Sequence, residues 1–337
     1  MLQIDQEKTA LALGFIGVGW IGRNRMEVLL NSGKAAASII AEPDVVQAQT
    51  ALEMAPECQL ASDIDEVYDM PDLDGIVIAT PSAMHAAQAE AALLAGKSVF
   101  CQKPLGRTAE EVKRVVAASK KVDKLLAVDL SYRYTKAFQK LHETILSGEL
   151  GHIYAVELVF HNAYGPDKDW FYDIKQSGGG CVMDLGIHLI DLAMWSLGFP
   201  KITEINSHLF SKGRLIQKNE GTVEDFAKVS MLTEHHTAIT LECSWHVSAG
   251  QDAVIGFKCY GTEGGASFQN VDGSFYNFYS EKYRGTKTEL LTNEQDDWSG
   301  KAGLVWAEQL LQGQKHDPNT SAELVQCAQI IDSIYER

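Results

Sequence analysis

Two segments of the sequence carry side chains that could bind and release a proton. Lys103 follows the apolar run Ser98–Cys101, and a residue at the carboxyl end of a parallel strand faces the ligand-binding edge of the sheet. Asp184 and His188 stand four positions apart in a stretch with helical spacing, so they share one helix face. A carboxylate beside an imidazole can orient it and raise its basicity, as a general base requires.

A run of three glycines, Gly178–Gly180, precedes the helix predicted to carry Asp184 and His188. Glycine has no Cβ, so it allows backbone conformations and close approaches that other residues do not. We therefore expect this run to be a flexible segment that lets the backbone approach a ligand.

A second group of glycines fits the dinucleotide-binding pattern G-x-G-x-x-G, in the run Gly17-Val18-Gly19-Trp20-Ile21-Gly22. The pattern follows an apolar run ending at Ile16 and opens a helix, which is the context it requires. Its first glycine allows a tight turn, its second the approach of the pyrophosphate, and its third close packing of helix on strand. The predicted cofactor-binding residues here are Gly17, Gly19, Trp20, Ile21 and Gly22, because the helix N-terminus offers N–H donors to phosphates.

Two further strand ends extend the predicted cofactor site. Glu42 lies twenty residues after Gly22, where an acid accepts hydrogen bonds from the adenosine ribose hydroxyls. A carboxylate there repels a 2′-phosphate, so the sequence favours NAD over NADP, although Arg23 could contact a phosphate. Thr80 and Pro81 follow another apolar strand and are expected along the cofactor, with helix initiation as the alternative role of the proline.

The elements that must position these residues predict two domains. In residues 1–130, short apolar runs alternate with helices, which is typical of β-α-β units and of an α/β Rossmann domain with a parallel, doubly wound sheet. In residues 131–337, helices at Lys136–Ser147 and Val182–Leu197 are followed by strands without long helices between them. This order predicts an α+β domain with a mostly antiparallel sheet, and the last forty residues return to helix.

Composition and charge limit the classes of partner. The net charge of -16 disfavours binding to nucleic acid or to an anionic membrane surface. No run of about 18 apolar residues predicts a transmembrane helix, and Met1–Lys8 lacks the pattern of an export signal. The six cysteines are scattered and no Cys or His cluster has metal-ligand spacing, so we predict a cytoplasmic protein with reduced thiols and no metal site.

In this order and at these spacings, the motifs resemble the glucose–fructose oxidoreductase / inositol dehydrogenase family, often written Gfo/Idh/MocA. The resemblance spans nearly the whole chain. It rests on Gly14–Gly22, on Ala79-Thr80-Pro81 with His85, on Lys103-Pro104-Leu105, on Tyr132-Arg133-Tyr134, on Gly148–Gly151, and on Gly178–Gly180 through Asp184, His188 and Asp191.

The resemblance implies a Rossmann domain followed by an α+β domain whose large open sheet often forms the interface of a homodimer or homotetramer. It implies hydride transfer between nicotinamide and a secondary or anomeric alcohol carbon of a sugar, inositol or related polyol. Lys103 would hydrogen-bond the reacting hydroxyl, His188 would take the proton, and Asp184 would orient His188 or the substrate. These roles make the three residues the predicted catalytic group.

The resemblance also assigns His85, Gln102 and Lys103 to the cofactor site. The family usually has Glu where this chain has Gln102, and loss of that charge would remove one influence favouring protonated Lys103. It would not remove the lysine itself.

The predicted substrate residues are Arg133, Tyr164, Trp170, Asp184 and His188, since aromatic faces suit the apolar faces of sugars. Core packing is the alternative role for Trp170. Two other functions remain open on the same fold: a non-catalytic NAD-binding regulator, and an NAD-dependent glycoside hydrolase. The intact Lys103, Asp184 and His188 argue against the regulator.

Overall fold

A computed structural model describes residues 9–217 and 220–336, which form two compact units. The first unit consists of Met1–Gly106, of which residues 9–106 are described, together with Glu110–Asp129 and Ser299–Ala322. The second consists of Arg107–Ala109, Leu130–Trp298 and Glu323–Arg337. The chain therefore passes between the two units more than once, whereas the sequence pattern predicts a single domain boundary after residue 130. The segment Met1–Lys8, expected not to be an export signal, lies outside the described residues.

Six parallel strands form the sheet of the first unit, in the order β3-β2-β1-β4-β5-β6. They are β1 (Leu11–Ile16), β2 (Ala35–Ala41), β3 (Gln59–Leu60), β4 (Gly75–Ile78), β5 (Ser98–Cys101) and β6 (Leu126–Val128). Strands β4 and β5 are buried at every position, as expected for a parallel sheet that is covered on both faces. The order reverses between β1 and β4, and ligands of such sheets bind beyond the carboxyl ends of the strands at this point.

Nine strands form the sheet of the second unit, in the order β15-β14-β13-β12-β7-β11-β10-β8-β9. They are β7 (Ile153–Asn162), β8 (Ile202–Ser211), β9 (Arg214–Leu215), β10 (Phe226–Thr233), β11 (Ala238–Ser244), β12 (Ala253–Gly261), β13 (Gly265–Asn270), β14 (Phe278–Arg284) and β15 (Lys287–Thr292). The strands β7 and β11 pair in parallel, and the other pairings are antiparallel. The predicted mostly antiparallel sheet is therefore confirmed.

The helices alternate with the strands of the first sheet and flank the second. They are α1 (Trp20–Asn31), α2 (Val45–Met54), α3 (Asp65–Asp69), α4 (Ser82–Leu94), α5 (Ala109–Val122), α6 (Lys136–Leu146), α7 (Ile174–Ser177), α8 (Ile187–Ser196), α9 (Lys301–Leu311) and α10 (Pro318–Ile334). Two 3-10 turns span Ser131–Tyr134 and Asp169–Tyr172, and a π-helical turn spans Val182–Gly186. The predicted helix Val182–Leu197 thus begins with a π turn.

Each unit has its own aromatic core. In the first, Trp306 of α9 is fully buried with its ring 5.7 Å from that of Phe100. A Cβ on Gly75 would lie 2.7 Å from Trp306, so only glycine fits there. In the second, Phe138 of α6 meets Phe257 and Phe268 edge-to-face at 5.3 and 5.4 Å. The late segment Ser299–Ala322 belongs to the first unit because it supplies Trp306 to that core.

None of the helices in residues 9–217 and 220–336 has the length and apolar character needed to cross a bilayer. Within the same residues, no three His, Cys, Asp or Glu side chains are grouped so that they could hold a metal ion.

Candidate functional site

The first and third glycines of the G-x-G-x-x-G run are required by the protein's own backbone. Gly17 has a φ of +82°, and a Cβ there would lie 2.8 Å from the Ala79 carbonyl oxygen. A Cβ on Gly22 would lie 2.2 Å from the Gly17 carbonyl oxygen. Helix α1 can therefore pack closely against the turn that follows β1 only with these two glycines.

The second glycine has a different environment. Gly19 precedes α1 with φ -58° and ψ -171°, which other residues can adopt. Apart from Gly19 and its two chain neighbours, no described residue has an atom within 4 Å of a Cβ built on it, and the neighbouring Trp20 is 70% exposed. The protein therefore leaves open space beside the N-terminus of α1, where N–H groups and the helix dipole favour an anion.

Glu42 is held next to this glycine turn. Its carboxylate accepts hydrogen bonds from the Val18 N–H (2.8 Å) and the Asp44 N–H (3.0 Å), one on each oxygen. Each carboxylate oxygen can accept a second bond, so capacity for ribose hydroxyls remains. Val18, which donates its N–H to Glu42, also accepts a hydrogen bond on its carbonyl oxygen from Arg23 at 3.0 Å. Arg23 donates in addition to the side chain of Gln47.

His85 on α4 links the chain segments that follow β4 and β5. Its ring is buried, with Nε2 2.6 Å from the Thr80 carbonyl oxygen and Nδ1 2.7 Å from that of Pro104. Burial lowers the pKa of His85, the two carbonyl contacts act against this, and Lys103 lowers it further. A neutral imidazole has one N–H, so it donates to one of the two carbonyls at a time. The Thr80 hydroxyl donates to the side chain of Gln88 at 2.6 Å, and Pro81 directly precedes α4.

Gln102 directly follows β5 and is buried in a polar cluster that sequence reasoning missed. Its side-chain amide donates to Oδ2 of Asp129, and the Nε of Arg25 donates to the same oxygen at 2.5 Å. Lys103 is the next residue, half-buried, with a cis peptide bond to Pro104. The available sequence signal was the position of Asp129, which follows β6 as Gln102 follows the adjacent β5.

In the second unit, Asp184 and His188 lie on the π turn and on α8. The half-buried Asp184 accepts a hydrogen bond of 3.1 Å from the indole Nε1 of Trp245. His188 is 9% exposed, and its ring lies 4.8 Å from that of Tyr132. The indole and the phenol ring therefore restrict the orientations of the two candidate acid–base groups. Nothing in the sequence pattern links Trp245 to Asp184.

The three glycines before this helix pack against protein atoms. A Cβ on Gly178 (φ +82°) would lie 2.6 Å from the Cβ of Arg107, and one on Gly179 would lie 2.1 Å from the Tyr335 hydroxyl. A Cβ on Gly180 would lie 1.8 Å from the Glu224 carbonyl oxygen. The expectation of a flexible run open to a ligand is wrong, because neighbouring side chains and backbone occupy the space that each glycine leaves.

Glu224 anchors the start of the helix that carries Asp184 and His188. Its buried carboxylate accepts hydrogen bonds from the N–H groups of Gly180 and Val182, both at 2.9 Å, and from the Tyr335 hydroxyl at 2.7 Å. Burial raises the pKa of Glu224, while these hydrogen bonds act in the opposite direction. Sequence reasoning missed this residue because it lies far along the chain from the helix that it binds.

Arg133 is paired within the second unit. It donates to both carboxylate oxygens of Asp191, at 2.8 and 2.6 Å, and to Glu323 at 3.1 Å. Its guanidinium also lies 5.1 Å from the ring centre of Trp195. This bidentate, largely buried pairing favours a structural role for Arg133 over contact with a substrate.

The two aromatic candidates lie outside the core. Tyr164 is 51% exposed, and the half-buried Trp170 stacks on Phe171 at 3.8 Å. Their loop is tied to its surroundings by a hydrogen bond from the Gly165 N–H to His246 at 3.2 Å. Both side chains are placed to meet a ligand or solvent, and their role in substrate binding stays a prediction.

The strand order and glycine turn of the first unit define a dinucleotide-binding Rossmann domain, and comparison with protein families agrees. A model described as "Oxidoreductase family, NAD-binding Rossmann fold" matches residues 11–130. A model described as "GFO/IDH/MocA C-terminal domain" matches residues 138–267. The chain therefore belongs to the Gfo/Idh/MocA family of NAD(P)-binding oxidoreductases, as its motifs predicted.

Curated relatives include dehydrogenases of sugars and polyols. The D-glucoside 3-dehydrogenase of Escherichia coli (strain K12) is 29% identical over 204 residues, which are 58% of each chain. The match thus spans less than two thirds of that relative. The inositol 2-dehydrogenase of Rhizobium meliloti (strain 1021) is 28% identical over 83% of this chain and 78% of its own.

A solved structure shares the whole fold. A levoglucosan dehydrogenase in complex with NADH and levoglucosan aligns with a TM-score of 0.82 at 24% sequence identity. The alignment covers 97% of this chain and 96% of that one. This likeness agrees with the predicted fold class, a Rossmann domain followed by an α+β domain with a large sheet.

Proposed function

We propose that this protein is an NAD-dependent dehydrogenase acting on a secondary or anomeric alcohol of a sugar, inositol or related polyol. The observation that carries the proposal is the pair Asp184 and His188, fixed by Trp245 and Tyr132 in a chain that also keeps Lys103 at its motif position. The sugar and polyol dehydrogenases among its relatives support the substrate class.

When bound, the nicotinamide ring accepts the hydride from the alcohol carbon. In this proposal, Lys103 donates a hydrogen bond to the reacting hydroxyl and so orients it. His188 takes the hydroxyl proton, and Asp184 holds His188 or a second hydroxyl of the substrate. General-base catalysis of this kind contributes about 10²–10⁴-fold to a rate.

The residues of the first unit fit a dinucleotide. The open space beside Gly19 and the N-terminus of α1 suit the pyrophosphate, and Thr80, Pro81, His85 and Gln102 belong to the proposed cofactor site. Glu42 is held by two backbone N–H groups and suits ribose hydroxyls, so we propose NAD as the preferred cofactor.

The cofactor preference is tested by replacing Glu42 with Ala. This change should weaken the binding of NAD more than the binding of NADP in calorimetric titrations. Equal losses of affinity for the two cofactors would contradict the ribose contact.

The function is tested by following reduced nicotinamide with a panel of aldoses, inositols and sugar acids, using NAD and NADP in parallel. We expect turnover with at least one polyol and NAD, and its near-complete loss in Lys103→Ala with NAD binding retained. Lys121→Ala, on the exposed side of α5, is the matched control and should behave as wild type. A protein that binds NAD but transfers no hydride would contradict the proposal. Net glycoside cleavage without accumulating NADH would identify a hydrolase instead.

We further propose that the protein forms a homodimer or homotetramer and that the sheet of its second unit is the interface, as the family resemblance implies. Tyr154 on β7 and Leu290 on β15 are exposed apolar side chains of this sheet, at 50% and 53%. Light scattering should show more than one chain per particle, and a monomer at micromolar concentration would contradict the proposed assembly.

We also propose a cytoplasmic location. The six cysteines are free thiols, which supports it.

A further inference from the structure

We propose that Asp129 is a positioning residue for the lysine segment. Its buried carboxylate holds the Gln102 side chain and, through it, the backbone from which Lys103 extends. The proposal rests on the proposed function, because Lys103 needs a fixed position only if it contacts a reacting substrate.

The geometry ties three separate elements to one oxygen atom. Oδ2 of Asp129 accepts hydrogen bonds from Gln102 and from Arg25 of α1, and these three side chains are 1%, 8% and 5% exposed. Because the cluster is buried, water cannot replace a lost partner, and an unmade bond costs the full desolvation of its group. Removing the Asp129 carboxylate or the Gln102 amide would therefore shift the group that remains.

The backbone carries this restraint to the lysine. The Asp129 N–H donates to the Cys101 carbonyl and the Gln102 N–H donates to the Ile78 carbonyl, both at 2.9 Å. These bonds continue the ladders of β4, β5 and β6 by one residue, up to the position just before Lys103. The lysine therefore leaves the sheet from a residue that is fixed through both its backbone and its side chain.

Charge explains why residue 102 is an amide. Arg25 and Asp129 form a buried ion pair, and Arg25 also donates to the Ser299 hydroxyl at 2.9 Å. With Gln102 the cluster is neutral. A second carboxylate at position 102 would place two like charges beside one cation in a buried site, which is unfavourable. Gln102, where the family usually has Glu, is thus the residue type that Asp129 allows.

The test exchanges the amide at position 102 and the carboxylate at position 129. Gln102→Glu and Asp129→Asn each change the charge of the cluster by one unit, and the double variant returns it to neutral with carboxylate and amide exchanged. For each single variant we expect kcat to fall about 10- to 100-fold, since small displacements of a reacting group have effects of this size. The double variant should recover most of that loss.

A matched control uses the same pair of groups on the surface. Gln176 on α7 donates to Asp173 at 3.0 Å, and both side chains are exposed. Gln176→Glu should therefore leave kcat at the wild-type value. Loss of kcat in this control would show that charge alone lowers turnover, and it would overturn the assignment to Asp129.

Melting temperatures measured without substrate separate the remaining outcomes. The single variants should melt earlier than wild type and the double variant should recover, whatever the protein catalyses. Recovery of the melting temperature without recovery of kcat would overturn the positioning role. Single variants that keep wild-type kcat would do the same. Absence of hydride transfer in the wild-type protein would instead overturn the proposed function itself.

Discussion

Gly19 in the first unit and Gly180 in the second both precede a helix, but different neighbours surround them. A Cβ on Gly180 would lie 1.8 Å from the Glu224 carbonyl oxygen, whereas no described residue beyond the chain neighbours has an atom within 4 Å of a Cβ on Gly19. Backbone conformation does not explain Gly19 either, since its φ is -58°. The comparison shows that a glycine cluster indicates a close approach without identifying what approaches.

The largest effect should come from Gly180→Ala. Backbone cannot move as a flexible side chain can, so the added methyl should cost about 3 kcal/mol of the free energy of unfolding. Denaturant unfolding measures this loss. Gly19→Ala is the matched control and should unfold like wild type. Equal stability of the two variants would remove the distinction between the two glycine segments.

Glu224→Gln should have the next largest effect. The amide replaces one acceptor oxygen by a donor, which then faces a backbone N–H or the Tyr335 hydroxyl, so we expect a loss of about 1–3 kcal/mol in stability. The control is Glu220→Gln, which changes an exposed acid paired with Arg214. A Glu224→Gln variant as stable as wild type would mean that the carboxylate does not anchor the helix of Asp184 and His188.

Gly19→Ala sharpens the comparison from the other side. Its methyl group would enter the space proposed for the pyrophosphate, so the Kd for NAD should rise about tenfold, or about 1.4 kcal/mol. Calorimetric titration measures this change on a protein of unchanged stability. Unaltered NAD affinity would show that the open space beside Gly19 is not used by the cofactor.

The smallest effect concerns the pH dependence of stability, to which His85 in the first unit and Glu224 in the second should contribute with opposite signs. The pKa of His85 is lowered in the folded protein, so the unfolded chain binds more protons below its ordinary pKa of 6.5. The His85 contribution to stability is therefore present above pH 6.5 and lost as pH falls through the folded pKa. The pKa of Glu224 is raised, so its contribution falls as pH rises above 4.5.

His85→Gln tests this sign. A single group changes stability by at most about 1.4 kcal/mol per pH unit. Between pH 6.5 and 5 the variant should therefore lose less stability than wild type on acidification. Unfolding curves at several pH values measure this slope. A steeper loss in the variant would contradict the assigned direction.

Much of the fold follows from local pattern. Most strands of the first sheet are short apolar runs between helical stretches, and the predictions agree with the structure at the strand end Ile16 and over Ser98–Cys101. Strands β13 and β15 were not predicted. The first begins at Gly265, in what looks like a turn, and the second is an exposed edge strand without alternating burial. Alternating apolar and polar residues indicate a half-buried strand, and a strand exposed at most of its positions does not show this period.

The site was predictable only as far as motifs and strand ends extend. The candidate positions Gly17, Glu42, Thr80 and Lys103 follow from their places at the ends of parallel strands, whereas His85 and Gln102 entered the cofactor site through the family resemblance. Glu224 and Trp245 bind the helix of Asp184 from distant parts of the sequence, and no local pattern encodes such pairs. Asp129 is intermediate, because the strand order brings it beside Gln102 and a polar residue at that strand end could have been noticed.

The burial of Trp306 in the first unit also affects the order in which the chain folds. Residues 9–129 leave the ribosome without the side chain that fills the space beside Gly75 and Phe100. At about 5–20 residues per second, Trp306 follows roughly ten to thirty seconds later. We expect a fragment ending at residue 130 to bind an apolar dye that the full chain excludes, and equal binding would contradict this. The nascent first unit therefore lacks part of its core during this interval, and synthesis of the last helices completes it.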